Sequence, residues 1–200
     1  MKHNADYIKK LYIAEKMSVS EISNKLGISQ GGINHLFKKE GVIKRSISES
    51  QYLKKNPSGD PFKAKKLESK EDYFLFGLGL GLYWGEGTKM NKCSVRLGNT
   101  DPDLISYFLK FLNRLYQIDI KRVKFGIQIF NDIDPNFAIS YWSKKLKTNK
   151  KFFYKPVITI SNKKGNYTRK VKYGVLTIYF NNKKLRDILN NELEKLRLIN

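Results

Sequence analysis

The segment Asp72 to Gly87, DYFLFGLGLGLYWGEG, constrains this chain more than any other. It is apolar except at its ends and carries glycines at 77, 79, 81, 85 and 87. Glycine is depleted in strands, so the segment reads poorly as a strand. It reads better as a helix, although each interior glycine there costs on the order of 1 kcal/mol relative to alanine. A close packing partner is the natural offset. Gly77, Gly81 and Gly85 fall four apart on one face, the spacing that lets two helix backbones come into van der Waals contact. No second copy of the segment occurs in the chain. The spacing therefore predicts a partner from another molecule and a two-fold homodimer with Gly77, Gly81 and Gly85 at its interface. Glu86 ends the helix just past that face. Two Glu86 carboxylates brought side by side repel unless a divalent cation lies between them, which makes Glu86 a candidate metal ligand.

The charge names a partner class. Lys and Arg number 39 against 18 Asp and Glu, a formal net charge of +21. With 40% apolar and 13% aromatic residues, the chain can build a core, so this is a folded cationic protein rather than a disordered polycation. Residues 121–200 hold 19 of the basic and 5 of the acidic residues, and those cations are spread over several elements instead of lining one amphipathic helix. That distribution favours nucleic acid over an anionic membrane, with phosphates supplying most of the binding energy. No run of about 18 apolar residues occurs, so no membrane span is expected. The opening residues MKHNADYIKK lack the apolar stretch of a signal peptide, and the single Cys93 excludes an intramolecular disulfide. A cytoplasmic, nucleoid-associated or nuclear location is the expectation.

The N-terminal residues predict a small helical module. Ile8, Leu11 and Tyr12 mark a first helix. Ser18-Val-Ser-Glu21 is a capping box that starts a second, with Ile22 and Leu26 inward and Gly27 supplying the positive φ that stops it. Ser29 caps a third, carrying Ile33, Leu36 and Phe37 inward. Two short helices joined by a glycine turn form a helix-turn-helix. The stretch VSEISNKLGISQGGINHLFKKEGVIKRS resembles the helix-turn-helix of bacterial regulators and resolvases. That resemblance implies a recognition helix from Ser29 to Lys39 whose Gln30, Asn34, His35 and Lys38 face the major groove, the amides suiting adenine and the lysine suiting phosphate or guanine. Residues 47–71 are polar, lysine-rich and interrupted by Pro57, Gly59 and Pro61, and read as a basic linker.

The run Gly81–Gly87, GLYWGEG, followed by TK and then VRLGNTDPDLISYFLKFL, resembles the LAGLIDADG homing endonucleases, in particular a branch in which a helix-turn-helix precedes a single motif. The likeness covers about Asp72 to the C-terminus. It implies that Glu86 is the catalytic acid and that Gly85 contributes its carbonyl to the metal, with Mg²⁺ or another divalent cation as cofactor. It also implies a homodimer on near-palindromic double-stranded DNA. The family places a basic residue near the cleft; no fixed spacing identifies it, and Lys155, ahead of Lys183 and Lys184, is the candidate. Two departures stand out: only Thr88-Lys-Met precedes a turn where the family has a long first hairpin, and an extra helix is expected at Asp134–Leu146.

Beyond the motif, Lys92–Leu97 alternates with Cys93, Val95 and Leu97 on one face. Asp101-Pro102 starts a helix burying Leu104, Ile105, Phe108, Leu109, Leu112 and Leu115. Arg122–Phe130 alternates again, with Val123, Phe125, Ile127 and Ile129 inward. Tyr154–Ser161 and Val171–Phe180 are β-rich, and Lys183–Leu198 is a last amphipathic helix. The polar sheet face then carries Arg96, Arg122, Lys124, Gln128, Lys170 and Lys172 toward DNA. The expected fold is α+β: a helix-turn-helix over 1–46, the linker over 47–71, and a LAGLIDADG-like mixed α/β domain over 72–200 with a DNA-facing antiparallel sheet. The expected function is site-specific, metal-dependent hydrolysis of DNA; the alternative is a non-catalytic helix-turn-helix transcription regulator that retains the LAGLIDADG scaffold.

Overall fold

The computed structural model describes residues 4–160 and 171–198. The chain divides into two compact units, residues 1–60 and 61–200. Among the described residues the whole is α+β, with eight α-helices and one mixed four-stranded sheet.

The first unit forms as its caps dictate. Helix α1, Ala5–Ile13, begins at Asn4, whose side chain accepts the Asp6 N–H. Helix α2, Val19–Leu26, carries the complete capping box: the Glu21 N–H donates to Ser18 Oγ at 3.2 Å and the Ser18 N–H to Glu21 Oε2 at 2.7 Å. Gly27 ends it at φ +67°, a conformation only glycine adopts without strain. Helix α3, Gln30–Lys39, starts at Ser29. Ile8, Leu11, Tyr12, Ile22, Ile33 and Phe37 close into one core, while Leu26 and Leu36 are half-buried around it. The stretch expected as a linker is more ordered than its composition predicts. Ser46 caps helix α4, Ile47–Lys55, which buries no residue, so capping and propensity rather than packing set it.

In the second unit residues 61–67 are bound to the core. Phe62 is buried, and the N–H groups of Lys63 and Lys65 donate to the carbonyls of Tyr116 and Leu115 at 2.8 and 2.7 Å. Helix α5, Lys70–Glu86, is the glycine-rich segment. Helix α6, Pro102–Tyr116, starts at Asp101 as expected. Helix α7 spans Pro135–Lys145 and α8 spans Lys183–Arg197. The strands are β1, Val95–Asn99; β2, Val123–Phe130; β3, Val157–Thr159; and β4, Val175–Phe180, in the order β1-β4-β2-β3. Val95, Leu97, Val123, Phe125, Ile127, Ile129, Leu176, Ile178 and Phe180 fill one face, and α5, α6 and α8 bury Leu75, Tyr83, Phe108, Phe111 and Leu189 in the same core.

Four differences from the sequence reading stand out in the sheet and the segments that lead into it. The sheet is mixed, not antiparallel: β4 runs antiparallel to β1 and β2, but β3 lies parallel to β2. The helix at Pro135–Lys145 is the crossover that a parallel pair requires, so the apparent interruption explains the geometry. Arg122 belongs to a 3-10 turn, Ile120–Arg122, that precedes β2, and lies 3.6 Å from Asp119. Lys172 sits in the turn before β4, not on a strand. Cys93 is exposed, because Asn91 Oδ1 gathers the N–H groups of Cys93 and Ser94 into a turn and delays β1 to Val95. Lys170 lies outside the described residues.

The one fully buried carboxylate in this unit's described core, Asp72, gives a pH test. It accepts from Lys65 Nζ at 2.7 Å and Arg114 Nε at 2.9 Å, and its residue is fully screened from solvent. The bond from Lys65, helped by Arg114 and opposed by burial, holds its carboxyl well below the usual carboxylate range. A depressed acid contributes stability above its unfolded value, about 3.9, and loses that contribution as pH falls below it. Both tryptophans, Trp84 and Trp142, belong to this unit, so their fluorescence follows its unfolding. The stability gap between wild type and Asp72→Asn should be level from about pH 7 to 5 and close below about pH 4. A gap unchanged at acid pH would show that the ion cluster is not what the carboxylate contributes.

Candidate nucleic-acid interface

Helix α5 has two different glycine faces. A β-carbon built on Gly79 lies 2.1–2.7 Å from the Phe111 ring and Cβ, so Gly79 is where α6 packs closely on α5 within the chain. A β-carbon built on Gly77, Gly81 or Gly85 meets no atom within 4 Å. That second face is also apolar and open: Phe74 is 69% and Trp84 46% exposed, with Tyr73 beside them at 60%. The fourfold spacing thus marks a face that nothing among this unit's described residues covers.

The end of α5 is fixed by contacts on three sides. The Gly87 N–H donates to the Tyr83 carbonyl, and a β-carbon on Gly87 would lie 2.3 Å from that carbonyl and from the Tyr83 ring. Gly87 then bridges Leu97, and the Thr88 N–H donates to the Arg96 carbonyl at 3.0 Å. This pairing delivers Glu86, which is exposed, to the edge of β1. Gly85 lies in the last helical turn, where carbonyls have no helical partner. The neighbouring Trp84 carbonyl accepts the Lys89 ammonium. Arg186 of α8 donates to the carbonyls of Lys89 at 2.5 Å and Asn91 at 3.0 Å, tying down the loop that follows Glu86. Asp187 lies 2.9 Å from Arg186 and 2.5 Å from Lys183; burial would raise its carboxyl, but these two bonds hold it below the usual range.

The basic residues divide accordingly. Lys155 is exposed beside β3, at the far edge of the sheet from β1 and Glu86. Three strand spacings of about 4.8 Å separate β1 from β3, so the fold does not bring Lys155 and Glu86 together in one chain. Lys183 is occupied by Asp187, and Lys184 is exposed on the first turn of α8. Lys89 and Arg96 are the cations beside the end of α5. Lys89 stands three residues after Glu86 in the sequence, and that adjacency was its only signal; Arg186, 100 residues on, gave none.

Across the open face of the sheet the register sets side chains in rows. Arg96 pairs with Tyr179, and Tyr179 with Lys124. The Arg96 guanidinium lies 5.1 Å from the Tyr179 ring centre, held by a 2.7 Å bond from Nε to Ser94 Oγ. The Lys124 ammonium lies 5.2 Å from the Phe152 ring. The next row is Gly98, Thr177 and Gly126, with no bulky side chain. Gln128 follows, its Nε2 donating to Thr159 Oγ1 at 3.2 Å. The four strands contain no Asp or Glu. Arg96, Lys124 and Gln128 therefore lie on strands without a carboxylate; Arg122 precedes β2 and Lys172 precedes β4.

In the first unit His35 and Lys38 are exposed on α3. Asn34 is half-buried, and its Oδ1 accepts Lys44 Nζ at 3.1 Å, so the amide that was expected to be open for adenine has its acceptor occupied. Gln30 and Asn34 line a cavity shared with Lys44 and Arg45.

Comparison with protein-family models, with curated proteins and with solved structures found no match.

Proposed function

We propose that the protein is a site-specific DNA endonuclease of the homing type, acting as a homodimer joined through the open glycine face of α5. The observation that carries this reading is the combination on one helix: an uncovered apolar glycine face at 77, 81 and 85, ending in an exposed carboxylate at the rim of a cationic sheet. A two-fold copy covers the apolar face and brings a second Glu86 to the same end. Mg²⁺ commonly takes one or two protein carboxylates and keeps several waters, so Glu86 and the Gly85 carbonyl fit one half of a shared cation site. Among the described residues no three His, Cys, Asp or Glu side chains cluster, and one chain alone does not complete it. When bound, the cation supplies an activated water and neutralises charge on the phosphate.

The chain's own residues bind and orient. Lys124 and Gln128 hold the duplex over the open face of the sheet, and Arg96, stiffened by Ser94 and Tyr179, holds a phosphate near Glu86. Lys89, bonded to the Trp84 carbonyl, adds a second ammonium at the end of α5, and Arg186 keeps that loop in register. Binding by such a surface weakens steeply with salt: log affinity falls with log salt at a slope of about −0.9 per phosphate contacted. A flat salt response in gel-shift titrations would remove the sheet from the interface. Incubating a plasmid library with the protein, with and without Mg²⁺, tests the activity. Metal-dependent cuts at one recurring sequence are expected; retention of DNA without cutting under any divalent ion would assign the regulator instead.

A further inference from the structure

A cavity of about 290 Å³ lies beside the N-terminus of α2. Its walls include Ser18, Ser20, Gln30, Asn34, Lys44 and Arg45, and no carboxylate among the described residues. Lys44 donates to Asn34 Oδ1 at 3.1 Å, which aims its ammonium without neutralising it. Arg45 is held firmly: its N–H donates to the Tyr12 hydroxyl at 2.7 Å, Nη2 donates to the Met17 carbonyl at 2.6 Å, and the guanidinium lies 4.1 Å from the Tyr12 ring centre. Its Nε–H is buried without an acceptor among the described residues. The nearby Glu21 carboxylate is bonded to the Ser18 N–H, which holds it below its usual range and keeps it charged within its own helix start. First-turn N–H groups of a helix have no helical acceptor, and two of the residues that carry them, Val19 and Ser20, line the cavity.

Two cations, first-turn amides and hydroxyls around a space free of carboxylates recognise an anion, and charge-assisted bonds to phosphate are the strong ones among these. The volume exceeds what a bare inorganic anion fills and falls near the lower limit, about 300 Å³, of small-ligand sites. We propose that this cavity binds a phosphorylated sugar, with the phosphate against Lys44 and the start of α2 and the sugar hydroxyls toward Gln30 and Ser20. A free nucleotide and one link of a nucleic-acid backbone both present that unit. The assignment is independent of the nuclease reading, since it concerns the first unit alone.

The test uses the full chain, observed through its backbone amide resonances in low-salt buffer. Thymidine 5′-monophosphate should shift the Ser20, Gln30, Asn34 and Lys44 amides saturably, and thymidine should not. Lys44→Glu, on an exposed side chain, should weaken that binding by about tenfold or more, the scale of one charge-assisted bond, while core amides such as those of Ile22 and Ile33 stay in place. Lys44→Gln, which removes the charge without reversing it, should fall between. A mixed-sequence duplex that displaces the nucleotide identifies the backbone as the source; simultaneous binding identifies the free nucleotide. Absence of saturable shifts at these four amides with either probe, or equal affinity in Lys44→Glu, would overturn the proposal. Duplex binding that leaves the four amides unmoved would do so while the sheet-on-DNA reading stands.

Discussion

Gly79→Ala is expected to destabilise the second unit by a net 1–3 kcal/mol or so, whereas Gly81→Ala, two residues along the same helix, is expected to stabilise the isolated subunit by up to about 1 kcal/mol. The helix preference is the same at both positions and favours alanine. The surroundings decide the sign. At Gly79 the new methyl falls 2.1 Å from the Phe111 ring, and that ring is fully buried between Phe108 and Tyr116, so it cannot swing aside. At Gly81 the methyl meets nothing within 4 Å. A larger change at the open position separates folding from assembly. Gly81→Val should leave the subunit folded, with an unchanged far-ultraviolet circular dichroism spectrum, yet sediment as a monomer where the wild type sediments as a dimer. An intact Gly81→Val dimer would place the subunit contact elsewhere.

The same two glycines show what the sequence carries and what it does not. Fourfold spacing identifies Gly77, Gly81 and Gly85 as one face, because helix geometry is local. Nothing local says that Gly79 faces Phe111, since that contact joins residues 32 apart and depends on how α5 crosses α6. The caps follow the first rule: Ser18, Gly27, Ser29, Asp101 and Asp134 act within three or four residues, and each bounds its helix as its chemistry predicts. The parallel placement of β3 follows the second, as does the separation of Lys155 from Glu86. Composition misled at 47–71, where lysines, prolines and a glycine read as a tether. Ser46 supplies a cap, and the backbone of Lys63 and Lys65 is bonded to the end of α6. At the candidate site Glu86 is legible because it ends a recognisable segment, while Arg186 is visible only once α8 lies against the loop after α5.

The second large effect concerns Glu86 itself. Glu86→Gln keeps the size of the side chain and removes the charge that would hold a divalent cation. Metal-ion catalysis of phosphate chemistry is worth several kcal/mol, so cleavage should fall by about a thousandfold or more at about 1.4 kcal/mol per tenfold. Folding should be untouched, because Glu86 is exposed and forms no ion pair among the described residues. Binding in EDTA should be retained or rise, since two carboxylates near phosphate repel it when no cation screens them. The most direct measurement is therefore cleavage and gel-shift of one library-selected duplex by wild type and Glu86→Gln, in Mg²⁺ and in EDTA. The account predicts cutting by the wild type in Mg²⁺ only, none by the variant, and binding in EDTA by the variant at least as tight as by the wild type; undiminished cutting by Glu86→Gln, or no cutting by the wild type with any divalent ion, would contradict it.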